Sequence, residues 1–223
     1  MSLILNIDTA TETAQVSFAK NGKVLQSLSN ELQKDHGAFL QIAIQQLSKN
    51  LAVSLTDAAA IAVTAGPGSY TGLRVGMASA KGLCYALNKP LIAINTLEVL
   101  TVAAQQQVNN VPNSIFCPMI DARRMEVFTA LYNKELTTLL LPSAMILDKA
   151  CFFNQLQNNK IIFFGSGAAK WKSICLHPNA SFAVVSGSSE AMASLANTYF
   201  AQQNFVNLAY SQPYYLKEFQ DKV

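Results

Sequence analysis

The chain has 223 residues, of which 51% are hydrophobic and 13% charged, with a formal net charge of +3. The charged share is well below the roughly 25% usual for soluble domains, so extensive burial is expected, a subunit interface included, over a core that this length fills as one large domain or two of about 100 residues. The mild charge demands no nucleic-acid partner and there is no basic run with interleaved aromatics; no window nears the roughly 18–20 apolar residues of a membrane span, and residues 1–8 lack the basic start of a signal peptide.

Three strands are predicted first, over 3–8 (LILNID), 13–19 and 23–29, with Asn21-Gly22 as the hairpin turn between the last two. A helix follows from Asp35 to Leu51, with Leu40, Ala43, Ile44, Leu47 and Leu51 on one face. At about 100° per residue, Phe39 and Ile42 fall well off the centre of that stripe. His36 opens the helix, where a solvated or capping role is expected. An apolar run, 60–65, then breaks into Gly66-Pro67-Gly68-Ser69-Tyr70-Thr71-Gly72-Leu73-Arg74-Val75-Gly76. A strand, a glycine-rich turn and a helix N-terminus can hold an anion or allow a close backbone approach. Thr71 is the expected cap, and Gly72 sits where a Cβ would crowd.

The helix to Leu87 has Leu73, Met77, Ala80, Leu83, Cys84 and Leu87 for its core stripe and only Arg74 and Lys81 for charges. Gly76, Ser79 and Gly82 would leave a low groove on its other side, open to a partner helix. A strand at 91–94 and a helix at 97–107 complete the first half, and the polar break 109–113 (NNVPN) marks the expected boundary between domains 1–108 and 109–223.

The order then restarts. Strand 114–120 ends in Asp121 as strand 3–7 ends in Asp8; strands at 126–132 and 135–141 follow, joined at Asn133-Lys134. A helix near 148–157, a strand at 160–164, the turn Gly165-Ser166-Gly167, a strand at 182–185 and a helix near 189–202 complete the second half. A βββαβα unit used twice is expected, the second copy trimmed, with Asp8, Thr9 and Thr11 of one copy and Asp121, Gly165 and Gly167 of the other lining a cleft. Asp8 could hold a hydrated Mg²⁺ or cap its own turn.

Cys84, Cys117, Cys151 and Cys175 are far apart without C-x-x-C spacing, which suits buried thiols in a reducing compartment. A metallopeptidase needs two histidines four apart on one helix, but positions 32 and 40 around His36 are both Leu. No metal site and no catalytic residue are expected.

Taken together, Asp8-Thr9-Ala10-Thr11, His36 at its helix start, the Gly66–Gly76 loop, Asp121-Ala122-Arg123-Arg124 and the late Pro213-Tyr214-Tyr215-Leu216 resemble the TsaB (YeaZ) family along nearly the whole chain. The resemblance implies a two-lobed α/β fold of the actin, Hsp70 and sugar-kinase superfamily (the ASKHA fold). It implies cytoplasmic bacterial machinery that installs threonylcarbamoyl on N6 of adenosine 37 in tRNAs reading codons that begin with A. In that system TsaD carries the metal and catalyses transfer, TsaE is an ATPase, and TsaB is a non-catalytic partner. The resemblance thus implies a heterodimer with TsaD, contact with TsaE and tRNA through the complex, a homodimer when TsaD is absent, and ATP or ADP bound at most at the complex. Phe39, Ile42, Gly76, Ser79 and Gly82 are the expected partner surface. Ser166 stands where the family commonly has a carboxylate and Met125 where Gly is usual, and the first weakens any case for independent nucleotide chemistry. The competing readings are an ATP-dependent phosphotransferase and, more remotely, a metallopeptidase-like protein.

Overall fold

The structure is a computed structural model and describes residues 2–31, 35–108 and 113–217. The chain forms two compact units, one of residues 1–96 with 188–215 and one of residues 97–187 with 216–223.

The first unit begins with strands β1 (Leu3–Asp8), β2 (Ala14–Lys20) and β3 (Lys23–Asn30). Helix α1 (His36–Leu51), strand β4 (Ala60–Gly66), helix α2 (Tyr70–Leu87) and strand β5 (Leu91–Asn95) follow. The sheet order is β3-β2-β1-β4-β5, with β1–β2 and β2–β3 antiparallel and β1–β4 and β4–β5 parallel. Alternation along the strands divides the labour. Leu5, Ile7, Val16 and Phe18 pack with Leu40, Ala43, Ile44 and Leu47 of α1 and Met77, Ala80 and Cys84 of α2. Asn6, Asp8, Gln15 and Ser17 point the other way, towards α6 (Ser189–Ala201), and lie together with Ser188, Ser189 and Met192.

The second unit repeats the plan. Strands β6 (Ile115–Asp121), β7 (Glu126–Tyr132), β8 (Thr138–Ile146), β9 (Ile161–Phe164) and β10 (Ala180–Phe182) form a sheet ordered β10-β9-β6-β7-β8, with the same alternation of antiparallel and parallel pairs. Its helices are α3 (Thr96–Gln107), α4 (Phe153–Asn158) and α5 (Ala168–Lys172). Cys117, Met119, Phe163 and Trp171 make one core cluster, and Phe116, Ile162 and Phe164 pack with Ala104 of α3 in another. The duplicated α/β unit expected from the sequence is present.

Several boundaries differ from the sequence reading. The expected break at 109–113 lies mostly outside the described residues, and the division between units comes at Leu97, inside the polypeptide of α3. Helix α6 belongs to the first unit, where it packs against β1, β2, β3 and β5. Strand β8 starts at Thr138 rather than 135, because Asn133 Oδ1 accepts from the N–H groups of Glu135 and Thr137 and extends the turn. Strand β10 is Ala180–Phe182 rather than 182–185. No helix among the described residues is long and apolar enough to cross a membrane.

Candidate functional site

The glycine loop closes onto the residues just after β1. Ser69 N–H donates to the Ala10 carbonyl at 2.7 Å, and Thr9 Oγ1 donates to the Gly72 carbonyl at 2.7 Å. A Cβ at Gly68 would strike the Ala10 carbonyl, and one at Gly72 the Thr9 carbonyl. One at Gly66, whose φ is +119°, would strike the Tyr214 carbonyl. Of the two roles open to this loop, close backbone packing is the one it fills. The helix cap is Ser69, whose hydroxyl accepts from Gly72 N–H at 3.3 Å; Thr71, the expected cap, is exposed within the first turn of α2.

Asp8 is 5% exposed and fully engaged. Its Oδ1 accepts from Ala10 N–H at 3.2 Å and Thr64 Oγ1 at 2.9 Å, and its Oδ2 accepts from Ser188 Oγ at 2.9 Å. Burial pushes its carboxyl above the ordinary 3.8, against the Ala10 N–H, the Ser188 and Thr64 hydroxyls and nearby His36, which all favour the charged form. Asp8 therefore caps its own turn and ties it to the start of α6. Thr11 Oγ1 bonds only locally, to the Thr13 carbonyl. Thr64 and Ser188 escaped the sequence reading, since a lone hydroxyl in a strand or a loop carries no pattern.

The second glycine turn is built the same way. Gly167 N–H donates to the Met119 carbonyl at 2.9 Å, and Cβ atoms at Gly165 and Gly167 would meet the Met119 carbonyl and Val127. Ser166 Oγ accepts from Asp121 N–H at 3.0 Å. Asp121 pairs with Lys170 at 2.7 Å and accepts from Arg123 N–H. Partial burial works against its charge, but Lys170 and that N–H hold its carboxyl below the ordinary range. In each unit a glycine turn packs on the backbone around the end of the first strand, and the Ser69 and Gly167 N–H groups are taken by protein carbonyls.

His36 is 3% exposed rather than solvated, with Nε2 3.1 Å from the Glu12 carbonyl. Leu40, one turn on, is fully buried in the core. No group of three or more His, Cys, Asp or Glu side chains that could hold a metal occurs among the described residues. Cys84 and Cys117 are buried and Cys151 and Cys175 half-buried, and all four thiols are free.

Of the expected partner residues, Ile42 is 64% exposed on α1, and Gly82 is exposed on α2 with open space where a side chain would go. Ser79 is half-buried, its hydroxyl 3.3 Å from Gln41 Nε2 where α1 and α2 run side by side. Phe39 is half-buried against the unit's own core. Gly76 is misplaced in the sequence reading. It is buried, and a Cβ there would strike Thr9 Oγ1 and lie 3.5 Å from Val63. Tyr85, 83% exposed one turn beyond Gly82, was missed.

The carboxyl-terminal strap, residues 202–215, runs back along α2. Val206 N–H donates to the Leu91 carbonyl, Lys81 Nζ donates to the Ala209 and Ser211 carbonyls, and Tyr214 N–H donates to the Ala65 carbonyl. Arg74 Nε donates to Tyr215 Oη at 3.2 Å, with the guanidinium 4.0 Å from the Tyr70 ring centroid. The glycine loop and the Pro213–Leu216 motif, far apart in sequence, thus meet.

A family model described as TsaD, tRNA N6-adenosine threonylcarbamoyltransferase, matches residues 28–220. The chain is 33% identical over 130 residues to the Bacillus subtilis tRNA threonylcarbamoyladenosine biosynthesis protein TsaB, covering 58% of this chain and 55% of that protein. It is 28% identical to the Escherichia coli protein of the same name over 226 residues, 96% of this chain and 94% of that one. The solved structure of YeaZ from Pseudomonas aeruginosa superposes with a TM-score of 0.78 at 25% identity, over 97% of this chain and all of that one. The model match over most of the chain, the full-length similarity to TsaB and the agreement in fold with YeaZ show that the chain belongs to the TsaD family, in its TsaB (YeaZ) branch.

Proposed function

We propose that this chain is a non-catalytic subunit for threonylcarbamoyl transfer to tRNA, acting in the cytoplasm by docking the outer face of α1 and α2 onto the matching helices of a catalytic TsaD paralogue. The observation that carries the reading is that face. Ile42 stands exposed on α1, Gly82 on α2 offers room for an incoming helix, and no charged residue lies between Gly37 and Ser48. A surface helix without a partner normally carries charge there. Burying Ile42 would contribute about 1.5–3 kcal/mol, and the same face can pair with itself when the paralogue is absent. TsaE would join through the complex, and ATP or ADP would bind there rather than be hydrolysed by this chain alone. The His36 and Leu40 environment supports the non-catalytic assignment, since a metal site on α1 would need both positions free to reach a shared ion.

The test is size-exclusion co-elution with TsaD, with tRNA modification measured in the reconstituted mixture. Ile42→Asp and Gly82→Arg are each expected to abolish co-elution and modification while the monomer stays folded, because both side chains face open space. The isolated chain is expected to hydrolyse ATP at background rate. Wild-type co-elution by either folded variant would place the interface elsewhere.

A further inference from the structure

Five of the seven tyrosines in the chain, Tyr70, Tyr85, Tyr210, Tyr214 and Tyr215, lie on α2 and the strap that follows it. Neither segment contains an Asp or Glu, while α2 supplies Arg74 and Lys81. The strap's bonds gather all of these but Tyr85. Lys81 holds the carbonyls either side of Tyr210, and Arg74 lies over Tyr70 and bonds Tyr215, whose ring centroid is 5.1 Å from that of Tyr70. Tyr210 is 85% exposed, and its N–H is taken by Asn207 Oδ1, so its ring has no task in holding the strap. Tyr214 and Tyr215 are also exposed.

Exposed flat rings beside cations, on two segments without an acid of their own, match how unpaired RNA is bound. Bases stack on aromatic faces, and Arg and Lys meet the phosphates. Arg74 uses its Nε on Tyr215, which leaves a guanidinium four further N–H donors. A protein partner would be served equally by the rings, but two segments that carry two cations and no acid of their own favour the polyanion. We infer that the Tyr70–Arg74–Lys81 side of α2 and the strap tyrosines form a direct docking surface for single-stranded RNA, the unpaired loop of the tRNA being modified. The inference rests on the proposed role in tRNA modification only for the identity of that RNA. It concerns a different surface from the Ile42 and Gly82 face.

The probe is a fluorescein-labelled RNA hairpin with an unpaired loop, titrated with the full-length chain and followed by anisotropy at several salt concentrations, with a fully paired RNA duplex as control. The hairpin is expected to bind more tightly than the duplex, with an affinity that falls as salt rises. Tyr210→Ala is expected to weaken hairpin binding at least about fivefold, the effect of one lost stacking contact. Tyr210→Phe, which keeps the ring, is expected to bind as wild type, and both variants are expected to co-elute with TsaD normally. Equal affinity for hairpin and duplex, or no loss with Tyr210→Ala, would overturn the inference while leaving the proposed function standing. Loss of TsaD co-elution by Tyr210→Ala with hairpin binding unchanged would also overturn it and make this face a protein interface.

Discussion

Gly76 and Gly82 are the same residue on one helix in opposite surroundings. Gly76 is pressed against Thr9 and Val63, whereas Gly82 has open space around it. Gly76→Ala is expected to lower stability by about 1–3 kcal/mol, because Thr9 would have to leave its bond to the Gly72 carbonyl. Gly82→Ala is expected to raise stability by up to about 1 kcal/mol through helix propensity alone; urea unfolding of the pair checks both signs. Asp8 gives a pH test. Because its folded carboxyl lies above the ordinary 3.8, the folded state holds the proton more tightly, so its contribution to stability falls as pH rises from that value. An Asn amide can keep the Ala10 and Thr64 bonds through its oxygen and donate to Ser188. Asp8→Asn is therefore expected to melt no lower than wild type at pH 7, with the difference shrinking below the ordinary carboxylate value. A large loss of stability at pH 7 would mean that the charge itself is needed.

Whole elements were mostly legible in the sequence, because a period of two or of 3.6 is a collective signal that survives ambiguity at any one residue. Strands β1 to β5 and helices α1 and α2 fall within a residue or two of where the pattern put them. The cap did not, since Ser69 and Thr71 are both competent and only the geometry of the turn chooses. Ser69→Ala is expected to cost about 1 kcal/mol and Thr71→Ala close to nothing, measured by thermal unfolding. Gly76 was misread because a residue without a side chain is invisible to hydrophobic periodicity. His36 was misread because its acceptor, the Glu12 carbonyl, is a backbone atom brought close only by the fold. The meeting of the glycine loop with the strap was beyond any local pattern, although both segments stood out as motifs.

At the scale of the molecule, the helix after each unit's last strand joins the other unit, α3 the second and α6 the first. A fragment of residues 1–108, the division that the polar break suggests, would lack α6 and the strap, uncovering one face of the first sheet and the Gly66 loop. It is expected to show no cooperative melt by circular dichroism. A chain joining residues 1–96 to 188–215 through a short glycine-serine linker is expected to melt cooperatively. Cooperative melting of the 1–108 fragment would show that α6 and the strap add little to the first core.

The strap's place in that first unit sets a schedule for synthesis. At roughly 5–20 residues per second, a ribosome takes on the order of 6–24 s to travel from Thr96 to Tyr215. Throughout that interval the amino-terminal sheet has emerged without its second cover, while the residues of the other unit are made. The nascent chain thus waits half-built, with the face that carries Asn6, Asp8, Gln15 and Ser17 still uncovered, and its first unit is complete only as its last tyrosines leave the exit tunnel.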